Sequence, residues 1–265
     1  SRHITRGHEV FNHSWDHGHP LDANWASRKW GGNELEIKQS TEKISNMLGG
    51  YTAHLFGFPF DAAADDQLSY LKSFPNYLGT RAPNYWQTNG VNEKNFSDPF
   101  RVRFQVYANA DQTSENPASL SNLLSTALSQ QGWAVRVFHS VHDSYYESVP
   151  LHLYTQHLDD VAARVNNGQL WVGTFTDVLK YRFAREFCAL RPPQMVNLGW
   201  VLSFDNLGVA CKKYATALTL EFNHPNIASD ALRIEQAGQP LVHKAVRPGV
   251  SVVQAHPLMG EVLIR

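Results

Sequence analysis

The chain has 265 residues, of which 43% are hydrophobic and 18% are charged. This size and balance favour one globular domain of moderate size, or one domain with an appendage. The formal net charge of −1 gives no basic field, which argues against a nucleic-acid-binding protein. No continuous apolar run of about 18 residues is present, so we expect no membrane-spanning helix.

Short apolar runs alternate with helical stripes through the first two thirds of the chain. A strand is predicted at residues 9–11, before a loop that contains several histidines. The further predicted strands are 51–60, 77–81, 100–108, 133–139 and 170–175, and the predicted helices are 33–48, 61–74, 116–131, 151–165 and 176–187. Strands that alternate with helices of about 10–15 residues predict βα units around a parallel sheet.

The pattern changes after Pro192 and Pro193, where helical periodicity is lost. Short alternating runs separated by turns predict a small antiparallel sheet. We therefore expect a first domain of residues 1–191 and a small β-rich C-terminal extension of residues 192–265. The extension is either a structural cover or a carbohydrate-binding module that uses Trp200 as a stacking residue.

Aromatic residues and cysteines leave alternatives open. The seven Trp, ten Tyr and fourteen Phe are either core residues or platforms for sugar rings. Tyr85 and Trp86 lie in a long predicted loop, 82–99, and are candidates for substrate binding. Cys188 and Cys211 either pair, as in an exported protein, or are free buried thiols.

The most informative stretch, residues 7–17, contains two histidines four residues apart, His13 and His17. At this spacing two imidazoles can converge on one ion, on a helical turn or on a bend after a strand. Neutral imidazole is the commonest protein metal ligand and suits divalent first-row ions. On spacing alone, the pair consists either of metal ligands or of ordinary surface or hydrogen-bonded histidines.

The residues around this pair resemble the second motif of the polysaccharide deacetylases, the NodB-homology domain of carbohydrate esterase family 4. That motif reads roughly G-H-E-[IV]-x-N-H-[ST]-x-x-H, and it is matched here from Gly7 to His17. The resemblance covers roughly residues 3–187 and implies an incomplete or distorted (β/α) barrel within residues 1–191. It also implies a divalent metal, Zn²⁺ or else Co²⁺, Ni²⁺ or Mn²⁺, held by His13 and His17.

Residues 56–61 resemble the third motif of the family, in which an aromatic-proline turn follows a strand. The resemblance implies that the backbone N–H of Phe60 belongs to an oxyanion hole. Many members have an arginine at the position of Gly57, where it orients the catalytic aspartate. Arg81, at the end of the next predicted strand, is a candidate for that task; the alternative is a salt-bridged loop arginine.

Residues 135–139 resemble the last motif of the family, a strand that ends in a histidine. His139 would follow the C-terminal end of a barrel strand, where barrel enzymes carry their chemistry. The role that the resemblance implies is that of a general acid, which protonates the leaving group. The alternative is a hydrogen-bonded buried histidine, and His142 is a second candidate for the acid.

The first motif of the family, a strand that ends in two aspartates, has no counterpart in this sequence. In the family, one aspartate is the general base and the other is the third metal ligand. Asp16 and Asp111 are loose alternatives, whereas Asp65 and Asp66 fall on a predicted helix. We therefore expect the missing strands and aspartates to come from a separate chain, a fragment or a partner.

Together these features predict a metal-dependent hydrolase that removes acetyl groups from a poly- or oligosaccharide and is secreted or periplasmic. A catalytically incomplete glycan-binding or structural protein is the alternative, because the base and the usual arginine are missing. A third interpretation is a metal-dependent hydrolase that acts on another substrate, such as a cyclic amide.

Overall fold

A computed structural model of the chain describes residues 2–22, 28–81, 90–107, 118–143, 145–197, 199–205, 207–228 and 230–265. These residues divide into two compact units, Ser1–Thr176 and Asp177–Arg265. The domain boundary predicted near Arg191 lies further along the chain, beyond the helix that begins at Phe175.

The helices agree well with the apolar stripes of the sequence. They are α1 (Ser40–Met47), α2 (Asp65–Lys72), α3 (Ala118–Gln130), α4 (Leu151–Asn166), α5 (Phe175–Phe187) and α6 (Val209–Tyr214). A π-helical segment, Glu34–Gln39, runs directly into α1, and short 3₁₀ turns occupy Ile4–Arg6, Pro59–Asp61 and Pro257–Met259. Among the described helices, none has the length and apolar composition needed to cross a membrane.

The strands of the first unit are short. They are β1 (Leu55–Phe56), β2 (Gly79–Thr80), β3 (Val91–Asn92), β4 (Gln105–Val106), β5 (Trp133–Ala134), β6 (Arg136–Val137), β7 (Ser140–Val141) and β8 (Ser148–Val149). Parallel pairings join Asn12 to Phe56, β1 to β2, Arg81 to Val102, and β4 to β6. Each of these segments pairs with the parallel segment that follows it along the chain. Successive βα units produce this order.

These pairings do not close into a barrel in the part of the chain that the structure describes. The strand predicted at 170–175 is wrong, because 170–174 have no strand pairing and α5 already begins at Phe175. Trp171 and Val172 are correspondingly exposed. An apolar run forms a strand only where a neighbouring backbone offers hydrogen bonds, and the sequence does not show whether one does.

The core of the first unit lies between the parallel segments and the helices that follow them. It is formed by Ile37, Phe56, Phe58, Ala63, Leu68, Leu71, Tyr77 and Phe100. At another edge, the carboxylate of Glu9 accepts hydrogen bonds from the backbone N–H and the hydroxyl of Thr176. Phe11 packs edge-on against Phe175, with ring centroids 5.4 Å apart. Residues distant in sequence therefore meet beside the histidine loop.

The second unit confirms the predicted antiparallel strands. Its strands are β9 (Gln194–Val196), β10 (Gly199–Leu202), β11 (Leu218–Asn223), β12 (Ile234–Gln236), β13 (Gln239–Pro240), β14 (His243–Arg247), β15 (Val250–Ala255) and β16 (Val262–Ile264). They form a five-stranded sheet, β13–β12–β16–β10–β9, and a three-stranded sheet, β11–β15–β14. Both sheets contribute side chains to one apolar cluster, which includes Leu202, Val253 and Val262.

Cys188 and Cys211 form a disulfide between the end of α5 and α6. Both half-cystines are buried beside Ala184 and Leu218. The two cysteines are 23 residues apart in the sequence, so the bond closes a substantial loop of the unfolded chain. Of the two alternatives that the sequence left open, the structure therefore shows the paired one.

Replacing both cysteines by alanine should destabilise the second unit. Loss of a cross-link over a loop of this size lowers the free energy of unfolding by about 3 kcal/mol, because the unfolded chain regains entropy. Urea unfolding of the double variant, compared with the oxidised and the reduced wild-type chain, measures the effect. The reduced wild type should resemble the variant, and equal midpoints for all three samples would contradict the prediction.

Candidate metal centre and its surroundings

The histidine loop begins at Asn12, whose side chain is completely buried. Asn12 Nδ2 lies within hydrogen-bonding distance of four oxygens: Ile37 O, Ser40 Oγ, Thr41 Oγ1 and Tyr77 OH. Its Oδ1 accepts a hydrogen bond from the backbone N–H of Ser14 at 3.0 Å. The residue before the first histidine is thus tied to the helical segment and to the core.

His13 is oriented by a backbone carbonyl on the neighbouring strand. Its Nδ1 lies 2.6 Å from Gly57 O. Because a carbonyl oxygen only accepts hydrogen bonds, Nδ1 carries the hydrogen and Nε2 keeps a lone pair. Metal-binding histidines are usually oriented in this way, with the second ring nitrogen donating to a carbonyl or carboxylate.

The second imidazole stands close to the first. The ring centroids of His13 and His17 are 4.9 Å apart, and the ring planes are inclined by 80°. Ser14 and His17 both have left-handed backbone conformations, with φ of 77° and 64°. The hydroxyl of Ser14 accepts a hydrogen bond from the backbone N–H of His17 at 2.9 Å, which supports this tight bend.

The surroundings of both histidines favour the neutral ring. Although His13 retains solvent-accessible surface, close packing of protein around its ring lowers its pKa to about 4, helped by the positive charge of Arg81. The hydrogen bond to Gly57 opposes this shift in pKa only in part. Partial burial also lowers the pKa of His17. Neutral imidazole is the form that binds metal ions.

The aromatic-proline turn packs against the histidine loop. Phe60 lies with its ring 4.9 Å from that of His17 and stacks on His19 at 4.6 Å. Phe60 and Asp61 both have positive φ, 56° and 49°. Consecutive left-handed residues other than glycine are uncommon and store strain that surrounding contacts must support.

Arg81 lies beside Gly57. Its guanidinium forms an ion pair with Asp61 (2.7 Å) and stacks on the ring of Phe104 (4.9 Å). A Cβ added to Gly57 would lie 3.3 Å from His13 Nδ1 and 3.6 Å from Arg81 Nε. The absence of a side chain at 57 therefore leaves room for both groups.

Asp61 was missed by the sequence analysis, although a signal was present. Asp61 directly follows Phe60 in the aromatic-proline turn and has a left-handed backbone conformation, which is uncommon for a residue other than glycine. Burial raises the pKa of Asp61, while the positive charges of Arg81 and His139 lower it. The side chain is largely shielded from solvent yet sits within electrostatic reach of Arg81 and His139.

His139 is paired with a second unpredicted carboxylate. Its Nδ1 lies 2.9 Å from Glu147 Oε2, and Glu147 is only 8% exposed. The parallel pairing of β7 with β8 brings His139 and Glu147 together. No local sequence pattern predicts this pairing. Positive charge on His139 lowers the pKa values of His13 and His17, which places the three histidines in one electrostatic neighbourhood.

The other candidates lie elsewhere. Tyr85 and Trp86, predicted to bind substrate, and Asp111 lie outside the described residues. Asp65 and Asp66 occupy the exposed first turn of α2. The exposed ring of Tyr146 packs edge-on against His139, with centroids 5.1 Å apart, and thus provides an aromatic surface at the site.

The donor set fits a metal ion in part. Two neutral imidazoles, one of them oriented by a carbonyl, are suitable ligands for a divalent ion. Within the described residues, however, there is no group of three or more His, Cys, Asp or Glu side chains that could hold a metal. The pair therefore fits as two ligands, and the carboxylate expected as the third is not among the described residues.

Comparison with known proteins adds no relative to this description. No family model, no curated protein and no solved structure matches the chain.

The lowered pKa of His13 predicts an acid-sensitive fold in the metal-free protein. The folded chain resists protonation that the unfolded chain accepts, so stability should fall as the pH drops from 6.5 towards 4. The full shift corresponds to about 3 kcal/mol of unfolding free energy, and solvent screening at this accessible ring reduces the expected loss to about half.

His13→Asn can retain a donor near Gly57 O but does not titrate in this range. Urea unfolding with a chelator, measured from pH 7 to pH 4, should show a smaller loss of stability for this variant than for the wild type. Parallel pH profiles for the two proteins would contradict the assignment of the loss to His13.

Proposed function

We propose that this chain is a metal-dependent hydrolase that removes acetyl groups from a poly- or oligosaccharide. The observation that carries the proposal is the pair of neutral imidazoles, with His13 Nδ1 fixed on Gly57 O and the ring of His17 4.9 Å away. An arginine–aspartate pair and a histidine–glutamate pair stand in the same neighbourhood. These are the residue types that hydrolysis of an amide or ester requires.

His13 and His17 would hold a divalent ion, Zn²⁺ or else Co²⁺, Ni²⁺ or Mn²⁺. When bound, such an ion polarises the acetyl carbonyl and lowers the pKa of a water molecule. The third protein ligand is expected to be a carboxylate outside the described residues, from this protein or from a partner that carries the first motif of the resembled family.

Asp61 is our candidate for the general base. It is the carboxylate that Arg81 holds, and orienting the catalytic aspartate is the task predicted for Arg81. Its raised pKa suits a group that must accept a proton near neutral pH. The ion pair with Arg81 fixes the carboxylate in one place and opposes the effect of burial on its pKa.

His139 is our candidate for the general acid. Glu147 holds its Nδ1–H, so that Nε2 remains for the leaving group. The backbone N–H of Phe60 is assigned to the oxyanion that develops on the acetyl carbonyl.

A sugar chain is the substrate class that suits this open neighbourhood. Trp15 lies between His13 and His17 in the sequence, while Phe60 contacts His17 and Tyr146 contacts His139. These three aromatic residues expose 47%, 39% and 65% of their surfaces, respectively. Aromatic faces of this kind can stack on sugar rings. The Cys188–Cys211 disulfide is compatible with the secreted or periplasmic location that we propose.

The second candidate function is glycan binding without catalysis. One observation favours it: among the described residues, no third His, Cys, Asp or Glu side chain joins His13 and His17 in a group that could hold a metal. Such a protein would keep the aromatic surface and the histidine pair while lacking turnover.

Acetate release from acetylated chito-oligosaccharides and acetylated xylan, with added Zn²⁺ or Co²⁺, separates the two functions. We expect release by the wild type, none above background for His13→Ala, and a loss of about 10²- to 10⁴-fold in kcat/KM for His139→Ala. His3→Ala, which changes a histidine outside this neighbourhood, should behave as the wild type. Glycan binding without release of acetate would favour the second function.

Asp61→Asn should remove the base and, with it, the acid limb of the pH profile. In the wild type, kcat/KM should rise with pH through the pKa of Asp61, which lies above the ordinary aspartate value. The variant should lose about 10²- to 10⁴-fold in kcat and show no such rise. Asp65→Asn, on an exposed turn of α2, is the matched control; an unchanged acid limb in Asp61→Asn would assign the base elsewhere.

A further inference from the structure

Glu36 is a completely buried acid on the π-helical segment that precedes α1. Its Oε2 accepts hydrogen bonds from the backbone N–H groups of Trp15 at 2.9 Å and of Asp16 at 3.4 Å. Its Oε1 accepts a third from the backbone N–H of Gly31 at 2.9 Å. A buried carboxyl group costs much free energy unless such donors replace its water, so these contacts explain how Glu36 is tolerated.

The position of these contacts in the chain gives them a function. Trp15 and Asp16 are the two central residues between Ser14 and His17, so Glu36 grips the middle of the bend that joins the two imidazoles. The flanking residues Ser14 and His17 have positive φ, which the isolated chain disfavours. Without an external partner for the central N–H groups, this bend would relax to other conformations.

The contact with Gly31 shows how closely the carboxylate is enclosed. A Cβ added to Gly31 would lie 3.1 Å from Glu36 Oε1 and 2.7 Å from Leu35 Cδ2. A glycine at 31 thus permits the backbone to approach the carboxylate. The π-helical turn around Glu36 is itself a rare conformation that occurs often at functional sites.

We propose that Glu36 is a positioning residue, which sets the separation and orientation of His13 and His17 before any ion binds. It does so without contributing a ligand, by holding the backbone between them. This inference rests on the proposed metal-binding role of the pair.

Glu36→Gln tests the proposal, because glutamine has the same shape but offers one acceptor oxygen instead of two. In the metal-free protein, we expect backbone amide hydrogen exchange to accelerate by about tenfold or more where the glutamine NH₂ group replaces an acceptor oxygen. The affected amides are one or both of Trp15 and Asp16, or that of Gly31, depending on the orientation of the glutamine side chain. Affinity for Co²⁺, followed by its visible absorption, should fall by roughly 10- to 100-fold. Glu34→Gln is the matched control, since Glu34 is exposed on the same segment and pairs with Lys38.

The outcomes separate this inference from the proposed function. Wild-type exchange rates at all three amides in Glu36→Gln would overturn the role of Glu36. If exchange is faster in Glu36→Gln but the wild-type chain binds no Co²⁺, Glu36 still orders the bend, and the proposed metal site is refuted. If Glu36→Gln does not fold, Gly31→Ala keeps the carboxylate but crowds it, and should produce a smaller acceleration; unchanged exchange there would contradict the proposal.

Discussion

The side chain of Asn12 has no contact with water, and its amide joins three parts of the first unit. The NH₂ group faces Ile37 O, Ser40 Oγ and the hydroxyl of Tyr77, while the carbonyl oxygen receives the N–H of Ser14. A buried polar atom without a hydrogen-bond partner costs free energy, so the loss of one of these contacts weakens the whole network. The buried amide therefore ties the start of the histidine bend to the core, as Glu36 holds its middle.

The charged groups around the bend are held close to fixed partners. Packing and the nearby guanidinium lower the pKa of His13, while the same guanidinium opposes the rise in the pKa of Asp61 that burial causes. Glu147 pairs with His139. A site whose imidazole and carboxyl groups have fixed partners and shifted pKa values, as His13 and Asp61 do, is suited to proton transfer, whereas a set of exposed, independent side chains would not be.

Most helices could be predicted because their apolar stripes and terminal residues are local features of the sequence. The helix predicted at 151–165 is found as α4, Leu151–Asn166, and the one predicted at 176–187 as α5, Phe175–Phe187. The strands were predicted in order but not in extent, and the predicted strands at 9–11 and 170–175 are not formed, although Asn12 makes an isolated bridge. A strand requires a partner from elsewhere in the chain, and its pairing depends on distances that no local pattern contains.

The sequence by itself singled out the imidazole pair by its spacing, and the aromatic-proline turn, Arg81 and His139 by the resemblance of short motifs, because both kinds of signal lie in consecutive residues. Only the tertiary structure decided that Asp61 pairs with Arg81, that Glu147 pairs with His139, and that Cys188 pairs with Cys211. It also decided that Glu36 lies beneath the bend, although Glu34 and Glu36 look alike in sequence. The physical reason is that partnership between side chains depends on burial and direction, which arise only when separate segments pack together.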